Sequence, residues 1–300
     1  MNVQRILFPT DFSPCSEVAL DHALYQAEIH DAELHIVHCI TWNDRETLSP
    51  AHLPDADSIM LHMQKVAKVQ LEETMDRHRD KPFNITEKCL TGPRPAETIM
   101  DYVTHQEIDM VVMGTHGRQG LYYFLMGSTA EEIVRLAPCP VLTVREKSEN
   151  AQLQHIRKIL VPVDFSDASR RAVARAKTMA ALHGAEVVGL HILRSLDFPT
   201  GGLDAGFTFL NEWLPKVKGE QLERLNKLLA ETKGNAPCTG LIDVGNPARD
   251  ITRTAAKQNA DLIVMPTHGH TGFDRLIMGS TAERVLRMAP CPVYTEKFQD

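Results

Sequence analysis

The residues whose types and spacing best suit ligand binding are three glycines and a serine in one loop of the first half of the chain. The loop reads GTHGRQGLYYFLMGS; two residues separate Gly114 from Gly117, and nine separate Gly117 from Gly127. Glycine lets a backbone approach a phosphate group closely, because it carries no side chain. Ser128 would begin a helix, whose unpaired N–H groups and dipole favour an anion. The spacing therefore predicts a loop that binds the phosphate groups of a ligand.

A second loop of the same form lies near the end of the chain and departs from the first at one position. It reads PTHGHTGFDRLIMGS, and nine residues again separate Gly269 from Gly279. Pro266 replaces the first glycine of the pattern. Proline has no N–H and fixes φ near ~−65°. One candidate donor is therefore missing, and we expect the second loop to hold its ligand less readily than the first.

The two loops belong to a repeat that runs through the whole chain. RILFPTDFS near the start returns as KILVPVDFS, and MGSTAEEIVRLAPCPV returns as MGSTAERVLRMAPCPV. A repeat of this length indicates two complete domains rather than a solenoid of small units. We expect domain 1 at residues 1–146, a linker at 147–157 and domain 2 at 158–300.

Each half shows the pattern of a parallel sheet with crossover helices, since apolar runs alternate with amphipathic stretches. The predicted strands of the first half are 5–9, 33–40, 84–90, 109–113 and 141–144, and the predicted helices are 14–30, 58–79, 95–106 and 129–136. Continuous apolar runs such as LIVM suit strands that are covered on both faces. The predicted class is α/β, with two tandem open five-stranded parallel sheets and helices on both faces of each.

These motifs resemble the universal stress protein family. The pattern G-x2-G-x9-G-[S/T] after the fourth strand is similar to the ATP-binding signature of that family, and the opening ILxPxDFS and closing APCPV are similar to it as well. The resemblance covers essentially the whole chain, twice. It implies the strand order 3-2-1-4-5 in each domain, which places a ligand crevice between the first and fourth strands. It also implies ATP as the ligand, with Mg²⁺ only as the companion of the ATP phosphates.

The resemblance implies roles for residues at the ends of the first two strands. Pro9 and Thr10 would shape the floor of the crevice, and Asp11 would contact the adenosine moiety. The backbone around Cys39 would meet the adenine. Asp11 and its counterpart Asp164 have an alternative role as local turn formers ahead of a helix.

The loop glycines and the residues after them would hold the rest of the nucleotide. Gly114 and Gly117 would flank the ribose and phosphates, and Gly127, Ser128 and Thr129 would hold the phosphate tail. The corresponding candidates of domain 2 are Asp164, Ile192, Gly269, Gly279, Ser280 and Thr281.

The two serines after the last loop glycines have a second explanation. Ser128 and Glu131 form the pattern S-x-x-E, as do Ser280 and Glu283, and this pattern is typical of a helix capping box. Capping and phosphate binding both remain open from the sequence, and the two roles can coexist.

The composition narrows the class of protein. The 32 basic and 39 acidic residues give a formal charge of −7, which argues against nonspecific binding to nucleic acid or to an anionic membrane. No stretch approaches the ~18 apolar residues of a membrane span, and the first residues lack a signal-peptide pattern. The six cysteines show no C-x-x-C spacing, so we expect reduced thiols. The expected location is the cytoplasm.

Three functions remain open. The leading one is a non-catalytic or weakly catalytic ATP-binding stress protein whose nucleotide state biases its conformation or its choice of partner. The chain has no G-x4-G-K-[S/T] loop, which would supply a lysine for phosphoryl transfer. Slow ATP hydrolysis and a nucleotide-free interaction scaffold are the alternatives. The resemblance also implies that the last strands, 141–144 and 293–295, pair within the chain, and it leaves a homodimer of whole chains open.

Overall fold

The two halves of the chain form the same succession of strands and helices. The computed structural model describes residues 3–41, 56–78, 80–115, 126–145, 155–194, 213–268 and 278–298. The chain divides into two units, Met1–Glu146 and Lys147–Asp300. The candidates Gly117 and Gly269 and most of the expected linker lie outside the described residues.

The elements of the first unit alternate along the chain. Among its described residues the strands are β1 (Arg5–Thr10), β2 (Glu33–Thr41), β3 (Ile85–Gly92), β4 (Met110–Gly114) and β5 (Val141–Val144). The helices are α1 (Pro14–His30), α2 (Ala56–Asp76), α3 (Pro95–His105) and α4 (Ser128–Leu136).

The second unit repeats this alternation. Among its described residues the strands are β6 (Lys158–Pro162), β7 (Glu186–Arg194), β8 (Cys238–Gly245), β9 (Leu262–Pro266) and β10 (Val293–Glu296). The helices are α5 (Asp167–His183), α6 (Leu214–Glu231), α7 (Pro247–Lys257) and α8 (Ser280–Met288).

The strands within each unit pair in parallel and in the same order. In the first unit, β1 pairs with β2 and β4, β2 pairs with β3, and β4 pairs with β5, which gives β3-β2-β1-β4-β5. The second unit has the equivalent order β8-β7-β6-β9-β10. The predicted α/β class is confirmed. The order reverses beside β1 and beside β6, so a crevice is expected at the carboxyl ends of these strands.

The first helix of each unit begins at a serine cap. Ser13 accepts the N–H of Ser16 through its side chain, and Pro14 occupies the first turn of α1. Ser166 accepts the N–H of Ser169 in the same way at the start of α5. A serine cap satisfies a backbone N–H that has no partner within the helix. In each unit, the serine cap fixes the point at which the chain leaves the turn after the first strand and enters the helix.

The core of each unit lies along its central strands. β1 is buried at three consecutive positions, because helices cover both faces of a parallel sheet. α1 packs on β1 and β4, while α3 and α4 pack against each other. Fully buried side chains include Ile6, Leu7, Phe8, Leu34 and Ile36 in the first unit and Ile159, Leu160, Leu190 and Leu262 in the second. Within the described residues, no helix combines the length and apolar character that crossing a bilayer requires.

Candidate functional site

Side-chain hydrogen bonds hold the turn after β1 in place. Thr10 Oγ1 accepts the N–H of Phe12 at 3.0 Å and lies 3.1 Å from Ser16 Oγ. Asp11 Oδ1 accepts the N–H of Ser13 at 3.1 Å, so Asp11 does form a local turn. A carboxylate has two oxygens that together accept several hydrogen bonds, and the turn therefore remains compatible with a ligand contact. Thr10 is buried and uses its hydroxyl within the turn.

Each unit holds a phenylalanine in the left-handed region directly after this aspartate. Phe12 has φ 60° and Phe165 has φ 65°. Their rings lie 4.7 Å from the ring of His38 and 4.6 Å from the ring of His191. A bulky residue in this conformation costs about 1–3 kcal/mol, and such strain is concentrated at binding sites. Sequence reasoning missed these residues, whose only signal was the repeated DFS.

A histidine on the second strand of each unit ties that strand to the turn. His38 Nδ1 lies 2.8 Å from the carbonyl oxygen of Thr10, and His191 Nδ1 lies 2.7 Å from that of Val163. A carbonyl oxygen only accepts, so Nδ1 carries the proton in both bonds. Burial lowers the pKa of His191, and Arg224 lowers it as well, against the raising effect of the bond to Val163. A neutral His191 ring leaves Nε2 as a hydrogen-bond acceptor.

The second strand extends past the end of the first and leaves backbone groups at the crevice. Glu33 donates its N–H to Gln4 O, so alternate residues of β2, including Cys39, point their backbone groups towards β1. The pairing of β1 ends at Thr10, whereas β2 continues to Thr41. The carbonyl group of Cys39 therefore faces the space beyond the end of β1.

The second unit has the same arrangement at Ile192. The N–H of Val163 donates to Leu190 O at 2.8 Å, which directs the backbone groups of Leu190 towards β6. Ile192 is two residues further along β7, and its backbone groups point the same way. Since β7 continues to Arg194, the carbonyl of Ile192 also lies beyond the end of its neighbouring strand.

Gly114 is required by packing as well as by its place in the glycine pattern. A Cβ added to Gly114 would lie 3.0 Å from Cys15 Sγ and 3.2 Å from the Cys15 carbonyl carbon. Glycine therefore allows α1 to pack closely against the end of β4. The second copy has Pro266 at this position and the smaller Ala168 in place of Cys15. Pro266 ends β9, where it pairs with Glu296.

The helix after each loop begins without a side-chain cap. Gly127 is the N-cap of α4, and Ser128 is the first helical residue. The capping-box interpretation of Ser128 is therefore wrong, because its side chain lies one residue too late to cap. Gly127 donates its own N–H to Thr115 O at 2.8 Å, and Gly279 donates to Thr267 O at the same distance. These bonds engage the N–H groups of the last signature glycines.

Two hydroxyl groups stand in the first turn of each of these helices. Ser128 is exposed and Thr129 is half-buried, and so are their counterparts Ser280 and Thr281. The first N–H groups of a helix have no acceptor within the helix. The turn therefore presents backbone donors and hydroxyl groups together, directly after the loop that contains Gly117.

Comparison with known proteins identifies the family. The profile described as the universal stress protein family matches residues 2–145 and 155–295. The chain belongs to the universal stress protein family. Each unit carries one match, so this universal stress protein is a tandem of two family domains.

Relatives in other organisms match this universal stress protein over one unit or over both. A universal stress protein of Methanocaldococcus jannaschii is 36% identical over 141 residues, which cover 47% of this chain and 82% of the relative. One from Mycobacterium tuberculosis is 27% identical over 324 residues and covers 98% of this chain and 95% of its own. The crystal structure of a universal stress protein from Archaeoglobus fulgidus shares the fold, with a TM-score of 0.69 at 22% identity and 99% coverage of both chains.

In the second unit of this universal stress protein, a cation lies beside the turn that follows the first strand. In the second unit, the guanidinium carbon of Arg224 lies 4.0 Å from the centre of the Phe165 ring. This distance is that of a cation–π contact. Arg224 of α6 therefore places a positive charge beside this turn.

Proposed function

We propose that this universal stress protein binds ATP, chiefly in its first unit, and acts in the cytoplasm as a regulatory or interaction module. The nucleotide state would bias its conformation or its choice of partner. The observation that carries the proposal is the open first turn of α4, where Gly127 begins the helix with no side-chain cap. Donors in this turn follow directly on the ATP-binding signature of the family.

The phosphate tail would lie against this first turn. The backbone N–H groups at Ser128 and Thr129 and the positive end of the helix dipole favour a multiply charged anion. The two hydroxyl groups add donors at the same place. Because the N–H of Gly127 is engaged with Thr115 O, we assign the phosphate contacts to the residues after Gly127. Mg²⁺ would enter with the ATP phosphates rather than through protein carboxylates.

The adenosine end would lie over the carboxyl ends of β1 and β2. The carbonyl of Cys39 is an acceptor suited to the amino group of adenine, and the half-exposed Asp11 carboxylate is an acceptor suited to hydroxyl or amino groups of adenosine. Pro9 and Thr10 would form the floor beneath them. The fixed turn at Phe12 supports the proposal, because strained residues persist where the surrounding structure holds a site in shape.

The proposal is tested by titrating the whole chain with Mg-ATP after bound nucleotide has been removed. Asp11→Ala is expected to weaken binding about tenfold, the loss of one hydrogen bond to a charged group. Asp164→Ala is the matched control, because Asp164 makes the same turn bond to Ser166 at 3.0 Å. Asp164→Ala is expected to leave the affinity unchanged. Equal affinities for wild type and both variants would overturn the assignment of ATP to the first unit.

We also propose that the last strands of the two domains, β5 and β10, pair within the chain. The family resemblance and the repeat support this pairing, since fusion of two like domains turns a twofold contact into an internal one. Proteolytic cleavage within residues 146–154 followed by size-exclusion chromatography tests it. Co-elution of the two halves supports the pairing, and separation into free halves contradicts it. The same chromatography on the intact chain reports whether two chains form a homodimer.

A further inference from the structure

The helix α2 of the first unit carries large apolar side chains on a side that does not face the sheet. It packs on β2 and β3, and its buried residues are Ala67, Leu71 and Thr74. The exposed large apolar side chains of the helix are Ile59, Leu61, Met63, Val66 and Val69. α2 therefore exposes apolar groups over its central turns, where a surface helix usually carries polar ones.

Four of these side chains form one stripe along the helix. Ile59, Met63 and Val66 are spaced by four and three residues, and Val69 follows three residues after Val66. Residues three and four apart lie on one side of a helix. We call these four residues the α2 stripe. Val66 is 46% exposed and Val69 is 52% exposed, so the centre of the stripe is open to contact.

The equivalent helix of the second unit has no such stripe. α6 lies between β7 and β8 in the chain, as α2 lies between β2 and β3. Within residues 214–231 of α6, no large apolar side chain is exposed, although Trp213 is exposed directly before the helix. Glu220, Glu223 and Lys227 are among the exposed residues of α6. The stripe is therefore a property of the first unit and not of the fold, and exposed apolar surfaces of this kind mark sites of interaction.

The charged residues of α2 complement a reversed copy of the same helix. Lys65 directly precedes Val66, and Glu72 lies three residues after Val69. When two α2 helices pack antiparallel with Val66 of one opposite Val69 of the other, Lys65 of one lies within a helical turn of Glu72 of the other. Glu72 also pairs with Lys68 of its own helix at 3.6 Å. An exposed pair of this kind contributes little, so Glu72 remains able to contact a second chain.

We propose that the α2 stripe is the contact surface of a homodimer, in which the α2 helices of two chains pack antiparallel. A twofold contact brings the same surface together from both chains. It covers the stripe of each chain and matches Lys65 with Glu72 at two symmetry-related places. A bilayer fits the stripe less well, because acidic residues outnumber basic ones within residues 1–146, and the anionic lipids of a membrane surface repel such a domain.

The inference goes beyond the proposed function and depends neither on ATP binding nor on the pairing of β5 with β10. It assigns a surface to the homodimer that the sequence leaves open. Val66 and Val69 are exposed, so their replacement by a polar residue is expected to leave the fold intact. Glutamine suits this purpose, because it is a good helix former and adds no charge.

Sedimentation equilibrium of the whole chain over a series of concentrations tests the dimer. One helix face is smaller than a standard interface, so we expect a dissociation constant of about 1–100 μM. Val66→Gln and Val69→Gln are each expected to raise it about tenfold, because each removes apolar contact at two places in the dimer. Leu182→Gln is the matched control, since Leu182 is 48% exposed but lies on α5 of the second unit. It is expected to dimerise as wild type does.

A charge reversal tests the antiparallel arrangement. Lys65→Glu is expected to weaken the dimer, because it brings two acidic side chains together. Adding Glu72→Lys to the same chain exchanges the two signs and is expected to restore the wild-type dissociation constant. A double variant that dimerises no better than Lys65→Glu would overturn this arrangement. Thermal unfolding of each variant checks that the fold is retained.

Flotation of the whole chain with vesicles of phosphatidylcholine and phosphatidylglycerol distinguishes a lipid surface from a second chain. A dimer that Val66→Gln and Val69→Gln weaken, without vesicle binding, supports the proposal. Vesicle binding by a monomeric chain, abolished by the same substitutions, would assign the stripe to a bilayer and overturn it. A wild-type chain that stays monomeric at every concentration, or a dimer that both substitutions leave unchanged, would overturn it as well. ATP binding that depends on Asp11 is measured separately, so failure of one proposal leaves the other standing.

Discussion

His38 donates its Nδ1–H to the carbonyl oxygen of Thr10 at 2.8 Å, and this bond joins β2 to the turn that follows β1. The second unit has the same bond from His191 to Val163 at 2.7 Å. In both units the histidine ring also packs on a phenylalanine with positive φ. One polar contact and one ring contact therefore fix the carboxyl end of the first strand in each domain.

Replacing His38 by phenylalanine tests the role of this bond. The substitution His38→Phe keeps a ring beside Phe12 but removes the donor to Thr10 O. We expect the Mg-ATP affinity to fall about tenfold, because an unpaired carbonyl group loses one hydrogen bond and the turn loses its fixed position. His191→Phe makes the same change in the other unit and is expected to leave ATP binding intact. An equal effect of both substitutions in isothermal titration would contradict a principal site in the first unit.

Gly114 and Cys15 provide a test that separates packing from ligand binding. Gly114→Ala is expected to lower the free energy of unfolding by about 1–3 kcal/mol, because the added Cβ overpacks the contact with Cys15. Cys15→Ala removes the sulfur and should relieve part of the clash. Urea denaturation of the two single variants and the double variant gives the coupling energy. The loss of unfolding free energy in the double variant should be smaller than the sum of the losses in the two single variants. Strict additivity would rule out the contact as the cause.

Gly245 and Gly184 test what a Cβ costs at a positive φ. Gly245 has φ +147°, and an added Cβ would meet Asp250 Oδ2. Gly184 has φ +68° and nothing within 4 Å of an added Cβ. Gly184→Ala is expected to cost about 1 kcal/mol from backbone strain alone. Gly245→Ala should cost more, because it also displaces a fully buried carboxylate from Arg249 and Arg253.

Thermal or urea denaturation of the two glycine variants measures the difference. Equal losses of stability would show that the ion pairs of the buried Asp250 carboxylate do not depend on the space at Gly245. The comparison uses one chain and one type of substitution, so that the unfolded-state effect of replacing glycine is the same in both variants.

His35 makes the stability of the first unit dependent on pH. It is buried, and its Nδ1 lies 2.8 Å from the hydroxyl oxygen of Tyr102. Burial lowers the pKa of His35, while Glu33 raises it. A histidine whose pKa is lowered by folding stabilises the protein above the unfolded pKa of about 6.5, and this contribution is lost as the pH falls through the folded pKa. The free energy of unfolding should therefore decrease on acidification below neutral pH.

Glu33→Gln tests how far the charge of Glu33 offsets the effect of burial on the pKa of His35. The substitution removes the charge that favours the protonated ring but keeps an oxygen that can accept from Thr86. The pKa of His35 should move further down, as followed by an NMR titration of the imidazole protons. An upward shift, or none, would mean that Glu33 does not act on His35 through its charge.

Much of the fold was predictable because local signals and tertiary packing agree. The prediction of α1 is correct at both ends. Ser13 followed by Pro14 is a strong start, and in the structure the helix ends at Asp31, which has φ 50°. The end of α2 was predicted three residues too late. Its last turn does not continue, because the N–H of His78 bonds to Met75 O, three residues back rather than four. No residue type in that stretch signals the change.

The site was predictable only to the level of its segments. The glycine pattern indicates a phosphate loop, but it does not reveal that Gly127 donates its own N–H to Thr115 O, since the spacing of residues does not show which backbone groups meet. The repeated DFS marks the segment that contains Phe12, but it does not indicate the positive φ of this residue. Arg194 and Arg284 are 90 positions apart in the sequence, and only the pairing of β7 and the packing of α8 bring them to one cavity.

A count of nucleotide in freshly purified protein tests the central claim most directly. The protein is denatured, released adenine nucleotide is quantified, and the count is repeated for Gly117→Val and Gly269→Val. A single ATP per chain, lost in Gly117→Val and retained in Gly269→Val, is the result that we predict. The absence of any adenine nucleotide, with none regained on addition of Mg-ATP, would contradict ATP binding by this universal stress protein.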